Sequence, residues 1–453
     1  MSKYREIEKE MNKDVDLNVI KESILPIIII AIFIVFPIIP EAKNMGTYTL
    51  KTGYIWNIAF MLGTTVLIID IFNKQIKFGI YEIILGAYSV LILLSTILSD
   101  YFPNTILAIY SRGEGALSLI SYIIIFMIFY KIFKYSKSLF DYVTIAVLCA
   151  AIYGILQSLI GTELGIAYGA NIIDAEYMAY GTMTNPNFFS SFMTLFLPIY
   201  IVKYLMTDEK EYIYVSIILF AGLICSKTLG GYITFGIYFA IISAFSLIIK
   251  KFSIEVWQKV AIITISFITV FALLDVSNEL VYSKELISSR ADMENISKGS
   301  KEFANNRGYI WNVAFNLIKE KPWFGVGPDQ MGQVVAEKYI NKPGYIFEDL
   351  VIDKAHCEYL HIAVTTGIPS LIVYVIFILT IGINLLKKII CIFKEKNHCS
   401  ESSIFVFAVS ISLLAYLIQS GANISVTCVA PVFWAMLGIG ANIANKNNKV
   451  RQD

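Results

Sequence analysis

The chain of 453 residues contains three histidines, and His356 stands where an imidazole can do chemistry. It follows an acidic stretch at 348–353 and opens a long apolar segment, so we expect it at the start of a helix at a membrane interface. The positive end of the helix dipole disfavours imidazolium there, which keeps the ring neutral and able to accept a proton near neutral pH. The simpler alternative is an interfacial histidine that only caps the helix.

A carboxylate and a second imidazole follow within one helical turn. Glu358 and His361 are three residues apart and would share one helix face, whereas His356 and Glu358 would lie on nearly opposite faces. The pair Glu358 and His361 is therefore either a structural hydrogen bond or a part of the site. His398 lies in a lysine-rich turn and is interpreted as solvated surface.

The chain is rich in lysine and has few arginines, yet Arg112, Arg290 and Arg307 all fall in segments that we predict to face outward. Guanidinium stays charged and binds phosphate oxygens at two points, so these arginines indicate a diphosphate ligand at the outer interface. The alternative is that they pair with nearby carboxylates such as Glu114 and Asp292, or reach lipid headgroups.

Metal and cofactor chemistry is not indicated. We see no Asp-x-Asp element and no clustered histidine and carboxylate ligands in the outward segments, so we expect no metal and no cofactor. The six cysteines are scattered without a Cys-x-x-Cys pair, which indicates neither a disulfide framework nor a zinc site. The net charge of +1 makes nucleic acid an unexpected partner.

The composition is that of a protein whose solvent is lipid: 57% of residues are hydrophobic and 16% are charged. We predict an all-α polytopic membrane protein, with residues 1–453 forming one transmembrane catalytic domain. Stretches long enough to cross about 30 Å of hydrocarbon number about twelve. They lie at 22–40, 53–73, 78–98, 115–134, 139–160, 186–206, 211–226, 230–250, 257–277, 358–386, 402–420 and 425–444.

The distribution of basic residues predicts the orientation. With the N-terminus inside, the cytoplasmic segments hold 22 of the 36 lysines and arginines, and the short outer loops hold only four. Short loops rich in lysine and arginine stay in the cytoplasm, whereas long loops are exempt from this rule. We therefore expect both termini inside the cell and the long loop 278–355, between spans nine and ten, outside it.

The long loop is expected to form a helical subdomain. Its apolar residues at helical spacing are Trp311, Ala314, Phe315 and Ile318. Asn305 or Asn306 would cap this helix and Pro322 would end it. A second short helix is predicted from 329 to about 339.

A twelve-span transporter or flippase of a polysaccharide precursor is the alternative from another class. Ion-coupled transporters normally carry ionisable groups in the middle of the membrane. Here Asp275 lies near an outer end of a predicted span, and Asp70 and Glu82 lie near inner ends. This distribution counts against transport.

Several motifs resemble the O-antigen ligase and O-antigen polymerase superfamily. Its members show an arginine and a tryptophan ahead of a Pro-x-x-Gly-x-Gly segment, then a His-Asn-x-x-Leu motif that opens a helix, and a Gly-Thr-x-x-Asn-Pro-Asn element earlier in the chain. The matching runs here are 181–187, 307–314, 321–328, 356–360 and 367–371. Two positions depart from the pattern: Cys357 replaces the asparagine, and Lys227 stands in a turn where many members have an arginine.

The resemblance implies a membrane glycosyltransferase fold of the large helical (GT-C-like) type. It implies action at the outer face of the cytoplasmic membrane, on a glycan carried by undecaprenyl diphosphate, without a nucleotide sugar, metal or cofactor. The implied partners are this lipid-linked donor, a glycan or lipid-glycan acceptor, and membrane lipid. Whether the chain polymerises glycans or ligates them to another acceptor is left open.

The resemblance also assigns roles to residues. His356 is the predicted base or acceptor-orienting group of an inverting transfer, and Arg307 is predicted to bind the diphosphate. The other candidates for substrate binding are Arg112, Arg290, Lys227, Glu358, Trp311 and Asn187.

Overall fold

The computed structural model describes residues 17–39, 49–73, 78–108, 112–160, 178–277, 303–340, 351–394 and 400–445. Within these ranges all regular secondary structure is helical, as expected from the sequence. The first half of the chain contributes α1 (Leu17–Ile29, continuing through a π-helical segment, Ile30–Val35, to Ile38), α2 (Thr49–Phe72), α3 (Ile80–Ile97), α4 (Asn104–Leu107), α5 (Ala116–Ile132), α6 (Lys137–Ile160), α7 (Pro186–Met206) and α8 (Tyr212–Cys225). The second half contributes α9 (Leu229–Ile249), α10 (Ile254–Ser277), α11 (Phe303–Glu320), α12 (Met331–Lys338), α13 (Glu358–Thr366), α14 (Ile368–Lys394), α15 (Glu401–Ser420) and α16 (Ala430–Asn445).

Among the described residues, nine helices are long and apolar enough to span a membrane, and α5 and α8 are shorter apolar helices. Each predicted span except 358–386 overlaps one helix, so the prediction of a polytopic helical protein is confirmed, while the number of twelve spans stays a prediction. One boundary was wrong. The stretch 358–386 is not one span, because Gly367 separates α13 from the long apolar helix α14.

The central helix is α7, which is buried along its whole length between α8, α9 and α15. Its residues are apolar all round, which is the pattern of a helix surrounded by other helices. Helices α5 and α16 approach each other closely at Gly438 of α16, where an added Cβ would collide with the main-chain oxygen of Phe126 in α5. The bundle therefore holds the ends of α5, α7, α15 and α16 at fixed positions.

The described part of the long loop forms a second small core. Helix α11 presents Ile310, Val313, Ala314 and Leu317 to this core. The predicted helix is confirmed, and so is most of its predicted face: Ala314 is fully buried and Trp311 and Ile318 pack against the core. Only Phe315, which is about half exposed, was placed wrongly. The caps were also wrong, because α11 begins at Phe303, before either asparagine. Helix α12 confirms the predicted second helix.

Candidate active site

The glycine-rich segment 322–328 closes the end of α13. The last carbonyl groups of a helix lack partners within it. Here the N–H of Val326 donates to the carbonyl of Val364 at 2.9 Å, and the N–H of Gly327 donates to that of Thr365 at 2.9 Å. The hydroxyl of Ser95 in α3 also donates to the Thr365 carbonyl, at 3.0 Å. The motif therefore fixes α13 to the membrane bundle.

These backbone contacts explain why the segment 322–328 contains glycine at positions 325 and 327. Gly325 has a φ of +64° and Gly327 a φ of +110°, both in the region that favours glycine. A Cβ at Gly325 would collide with the carbonyl oxygen of Val364, and one at Gly367 would collide with that of Trp323. Only residues without a side chain let the two segments approach so closely. These contacts fix the C-terminal end of α13, and the helix in turn fixes the position of the residues at its start.

Arg112 and Asp353 form a two-point ion pair. Nε of Arg112 lies 2.6 Å from one carboxylate oxygen of Asp353, and Nη2 lies 3.0 Å from the other. Burial opposes ionisation of Asp353, but the Arg112 guanidinium and the Lys354 ammonium hold the pKa of this carboxyl below its ordinary value. Arg112, which was predicted to bind the diphosphate, therefore directs two of its donors to the carboxylate of Asp353, a partner that the alternative interpretation did not name.

Lys354, the next residue, is completely buried and faces three polar groups. Its Nζ lies 2.6 Å from Asp329, 2.8 Å from Glu114 and 3.3 Å from Nε2 of His361. Burial alone would lower the pKa of Lys354, but the adjacent carboxylates of Asp329 and Glu114 raise it above its ordinary value. The ammonium is therefore the resident cation of this group, which we name the Lys354 cluster (Glu114, Asp329, Lys354 and His361).

Glu114, Asp329 and His361 lie close enough together to hold a metal ion. The expectation that the outward segments bring no such ligands together was therefore wrong, because the three come from distant parts of the chain. The ammonium of Lys354 already pairs with both carboxylates and contacts His361. Asp329 also accepts the backbone N–H groups of Arg112 and Glu114, at 2.9 and 3.1 Å. These contacts are those of a structural ion cluster.

His356 lies just before α13, with Cys357 at the helix N-cap position. Its φ of +48° is left-handed, and Trp311 fixes the preceding residue by donating from Nε1 to the carbonyl of Ala355 at 3.0 Å. Burial, followed by the charges of Arg307 and Arg112, lowers the pKa of His356 to about 4. A neutral imidazole is thus found where the sequence predicted one, although desolvation and two guanidinium groups, rather than the helix dipole, account for it.

Arg307 lies in the first turns of α11, and its guanidinium donates to the carbonyl of Ala422. Its charge acts on both His356 and Cys357, so α11 and the start of α13 face each other at this point. Cys357, which replaces the family asparagine, has a pKa raised by burial and is a neutral thiol. The structure thus brings Arg307, Arg112 and His356 together.

Glu358 opens α13 and is partly exposed to a cavity, with protein atoms on its other sides. One of its oxygens accepts the backbone N–H of Ser425 at 2.6 Å. Burial, with a contribution from Glu114, raises the pKa of Glu358 to about 8. The carboxyl group therefore changes its protonation state near physiological pH. Glu358 and His361 do not form the hydrogen bond that was considered from their spacing, since Glu358 accepts from Ser425 and His361 contacts Lys354.

Sequence analysis missed the segment 420–427 between α15 and α16, which we name the 420s loop. It contacts the site through three bonds: Ala422 accepts from Arg307, Ser425 donates to Glu358, and Thr427 donates to the carbonyl of Arg112 at 3.2 Å. A signal was present in the sequence, because Ser420, Asn423, Ser425 and Thr427 interrupt two apolar runs.

Two further residues predicted to bind substrate, Asn187 and Lys227, lie near the 420s loop. Asn423 donates to the carbonyl of Asn187 at 2.9 Å, and Asn185 caps the start of α7 by accepting the N–H of Asn187. Lys227 lies in the turn before α9, with a φ of +52°, and a Cβ on neighbouring Gly230 would contact Ala422. Arg290 lies outside the described residues.

A known protein family matches the part of the chain that carries most of these residues. A family model described as O-antigen ligase matches residues 214–375, a segment that contains Lys227, Arg307, Trp311, His356 and Glu358. No curated protein was found to match the chain. The resemblance stated from the motifs is therefore confirmed: residues 214–375 carry the O-antigen ligase domain, in a multi-pass helical membrane protein with a ligase- or polymerase-like role in cell-surface polysaccharide biosynthesis.

Proposed function

We propose that this protein is an inverting glycosyltransferase that moves a glycan from an undecaprenyl diphosphate carrier to an acceptor hydroxyl at the outer face of the cytoplasmic membrane. The proposal rests on the proximity of Arg307 and Arg112 to His356. Burial, followed by the charges of these two guanidinium groups, lowers the pKa of His356 and keeps its imidazole neutral. A site of this kind offers a cation for a diphosphate and a hydrogen-bond acceptor that orients a hydroxyl.

In the proposed reaction the acceptor oxygen attacks C1 of the donor sugar from the side opposite the diphosphate. As the acceptor oxygen bonds to C1, the bond from C1 to the diphosphate oxygen breaks and its electrons remain on the diphosphate, while the acceptor hydroxyl gives its proton to a basic group of the site. Arg307 stabilises this growing negative charge in a partly buried site, where such stabilisation is strong. His356 accepts a hydrogen bond from the hydroxyl, which orients a lone pair of its oxygen toward C1.

Arg112 has a different part in this proposal from the one that its charge first indicated. Because Asp353 occupies Nε and Nη2 of Arg112, we assign Arg112 to positioning the segment before His356. Arg307 then provides the main contact with the diphosphate. Trp311 positions Ala355 in the same way, through its indole N–H.

The test uses purified protein in lipid nanodiscs with a lipid-linked oligosaccharide, and measures release of the carrier diphosphate with and without added acceptor. We expect release to persist in EDTA. Products that lengthen without an added acceptor identify a polymerase, and release that needs the added acceptor identifies a ligase. Absence of release, combined with transport of the intact donor across vesicle membranes, would instead establish the flippase alternative.

The orientation is tested separately, in a cysteine-free background with single cysteines added. A cysteine at Lys338 should react with an impermeant reagent from outside intact cells, whereas one at Ser400 should react only after permeabilisation. The reverse pattern would place the site in the cytoplasm and exclude an outer-face reaction.

A further inference from the structure

A small cavity, lined by both apolar and polar side chains, lies beside Glu358. Its volume is about 40 Å³, and its polar lining includes Glu114, Asp329, Glu358, His361 and Tyr122. A water molecule needs roughly 10–15 Å³ of such space, so the cavity has room for about two or three waters and is too small for a sugar ring. Water, and not a sugar, therefore fits this cavity, and water held among ionisable groups is suited to proton transfer.

Two atoms in the lining require such water. Nδ1 of His361 and the hydroxyl of Tyr122 have no hydrogen-bond partner among the described residues, although both side chains are buried, with 6% and 2% of their surfaces exposed. Buried polar atoms in native proteins are nearly always hydrogen-bonded, to protein or to ordered water. The cavity lies where water can bond to both atoms and to Glu358.

Glu358 is the carboxyl group of the cavity that is least neutralised by a cation. Asp329 and Glu114 share the ammonium of Lys354, whereas Glu358 forms no ion pair with any described residue. The groups that face it from the surrounding elements are Glu114, Asp329, Lys354 and His361, together with the tyrosines Tyr88, Tyr122, Tyr374 and Tyr416. Burial and the charge of Glu114 favour the protonated carboxyl group, whereas the Ser425 N–H and the Lys354 ammonium oppose protonation to a smaller extent.

Glu358 is connected to the proposed reaction site along the chain and through the 420s loop. Only Cys357 separates it from His356 in the chain, and the 420s loop that accepts from Arg307 at Ala422 donates to Glu358 at Ser425. His356 has a pKa of about 4 and faces two guanidinium groups, so it can orient a hydroxyl but does not retain a full proton. The proton released by the acceptor therefore needs another site.

On the basis of the proposed transfer, we propose that Glu358 receives the proton that the acceptor hydroxyl loses, and that water in the cavity solvates the resulting carboxylic acid. The carboxylate takes up the proton as the acceptor oxygen bonds to C1, and later releases it to the outer solution. No oxidant, metal or further reactant is needed. The raised pKa of Glu358, about 8, is consistent with this role.

A first experiment needs only the wild-type protein. Carrier diphosphate release at saturating donor and acceptor should rise with pH from 6 and level off above about pH 8, because only the ionised carboxylate accepts the proton. A rate that stays constant between pH 6 and 9 would overturn the proposal even if the protein transfers glycan.

A second experiment identifies the group. Glu358→Gln should lower turnover by roughly 10²-fold or more and abolish the rise with pH, while the KM for the donor stays unchanged. Glu358→Asp should restore part of the turnover together with a pH-dependent rate. The matched control is Glu211→Gln, at an exposed residue just before α8, which should behave as wild type. Wild-type turnover and pH dependence in Glu358→Gln would refute the role of Glu358.

Infrared spectroscopy gives a readout without substrate. In full-length wild-type protein, the C=O band of a protonated carboxyl group should disappear as the pH rises through about 8, and Glu358→Gln should lack this change. If Glu114→Gln removes the band instead, the proton is on Glu114 and the proposal is wrong. If the infrared result holds but no donor is cleaved under any condition, the proposed glycosyl transfer fails and the proton site on Glu358 stands.

Discussion

Arg112 and Asp353 are joined by two bonds, of 2.6 and 3.0 Å, that connect the start of α5 to the residues immediately before His356. This pair lies at the edge of the site, and the two side chains are 19% and 30% exposed. Its geometry matters more than its charge, because a guanidinium fork matches both carboxylate oxygens and an ammonium does not. The pair orients the segment that ends in the imidazole.

Disruption of this pair should affect catalysis more than folding. Arg112→Lys keeps the charge and loses the fork, so we expect turnover to fall while the melting temperature changes little. Asp353→Asn should lower turnover similarly, and the double variant should be no worse than either single variant, since all three lose one shared interaction. Turnover and melting temperature of the four proteins provide the measurement. Additive losses would show that the two side chains act independently.

Loss of the cation in the Lys354 cluster should destabilise the folded protein far more than loss of a surface ion pair. Lys354→Met leaves Glu114 and Asp329 buried without their cation, and breaking a buried pair in this way typically costs about 3–5 kcal/mol. The matched control is Lys338→Met, because Lys338 pairs with Glu320 on the surface, where both side chains are nearly half exposed and such pairs contribute about 0–1 kcal/mol. Thermal melting compares the two variants. Equal melting temperatures would show that the cluster contributes no more than a surface pair.

The sequence predicted the helices well and the site only partly, for physical reasons. Each apolar stretch was long enough to require a helix in lipid, so the spans were predictable. The break at Gly367 was not, because it depends on contact with Trp323 in a distant segment. The Lys354 cluster was missed for a similar reason: Glu114, Asp329 and His361 become neighbours only after folding.

The roles of the arginines could likewise be predicted only in part from the sequence. Their types and positions indicated a diphosphate site, but no pattern in the chain distinguished Arg112, which is engaged by Asp353, from Arg307, which binds a backbone carbonyl. The polar residues of the 420s loop could have been noted as a break in an apolar region. Their partners could not have been named without the fold.

Arg307 and His356 should be the residues most important for turnover. His356→Ala removes the group that orients the hydroxyl, and we expect a loss of roughly 10²–10⁴-fold at normal expression. Arg307→Ala should lower turnover by about 10²–10³-fold, and Arg307→Lys should retain part of it, because the charge remains without the fork. His398→Ala is the control and should be silent. Retention of more than about a third of turnover in His356→Ala, with complete loss in His361→Ala, would move the site to the His361 side of α13.

The glycine contact can be tested by adding one methyl group. Gly325→Ala places a Cβ against the Val364 carbonyl at a left-handed φ. We therefore expect the free energy of unfolding to fall by about 1–3 kcal/mol. Gly382→Ala is the matched control in α14, where nothing lies within 4 Å of the added atom. That change should leave the melting temperature unchanged or raise it slightly. A Gly325→Ala protein as stable as Gly382→Ala would contradict the close contact.

The pH dependence of stability follows from the shifted groups. Burial raises the pKa of Glu114 to about 7 and that of Glu358 to about 8, above their ordinary value of 4.5. The folded protein therefore keeps protons that the unfolded chain releases, and the stability that they provide is lost as the pH rises toward 8. His356 acts in the opposite direction, since its lowered pKa of about 4 makes stability rise with pH between 4 and 6.5.

Below pH 6.5 the carboxyl groups and the imidazole oppose each other, whereas between about pH 6.5 and 8 only the carboxyl groups act. We therefore expect the melting temperature to fall across this upper window, with each carboxyl group contributing at most about 1.4 kcal/mol per pH unit. Glu358→Gln removes one titrating group without changing the shape of the side chain, so its melting temperature should fall less between pH 7 and 8. A wild-type melting temperature that rises over this window would show that the two carboxyl groups are ionised in the folded protein at neutral pH, and the sign of both pKa shifts would then be wrong.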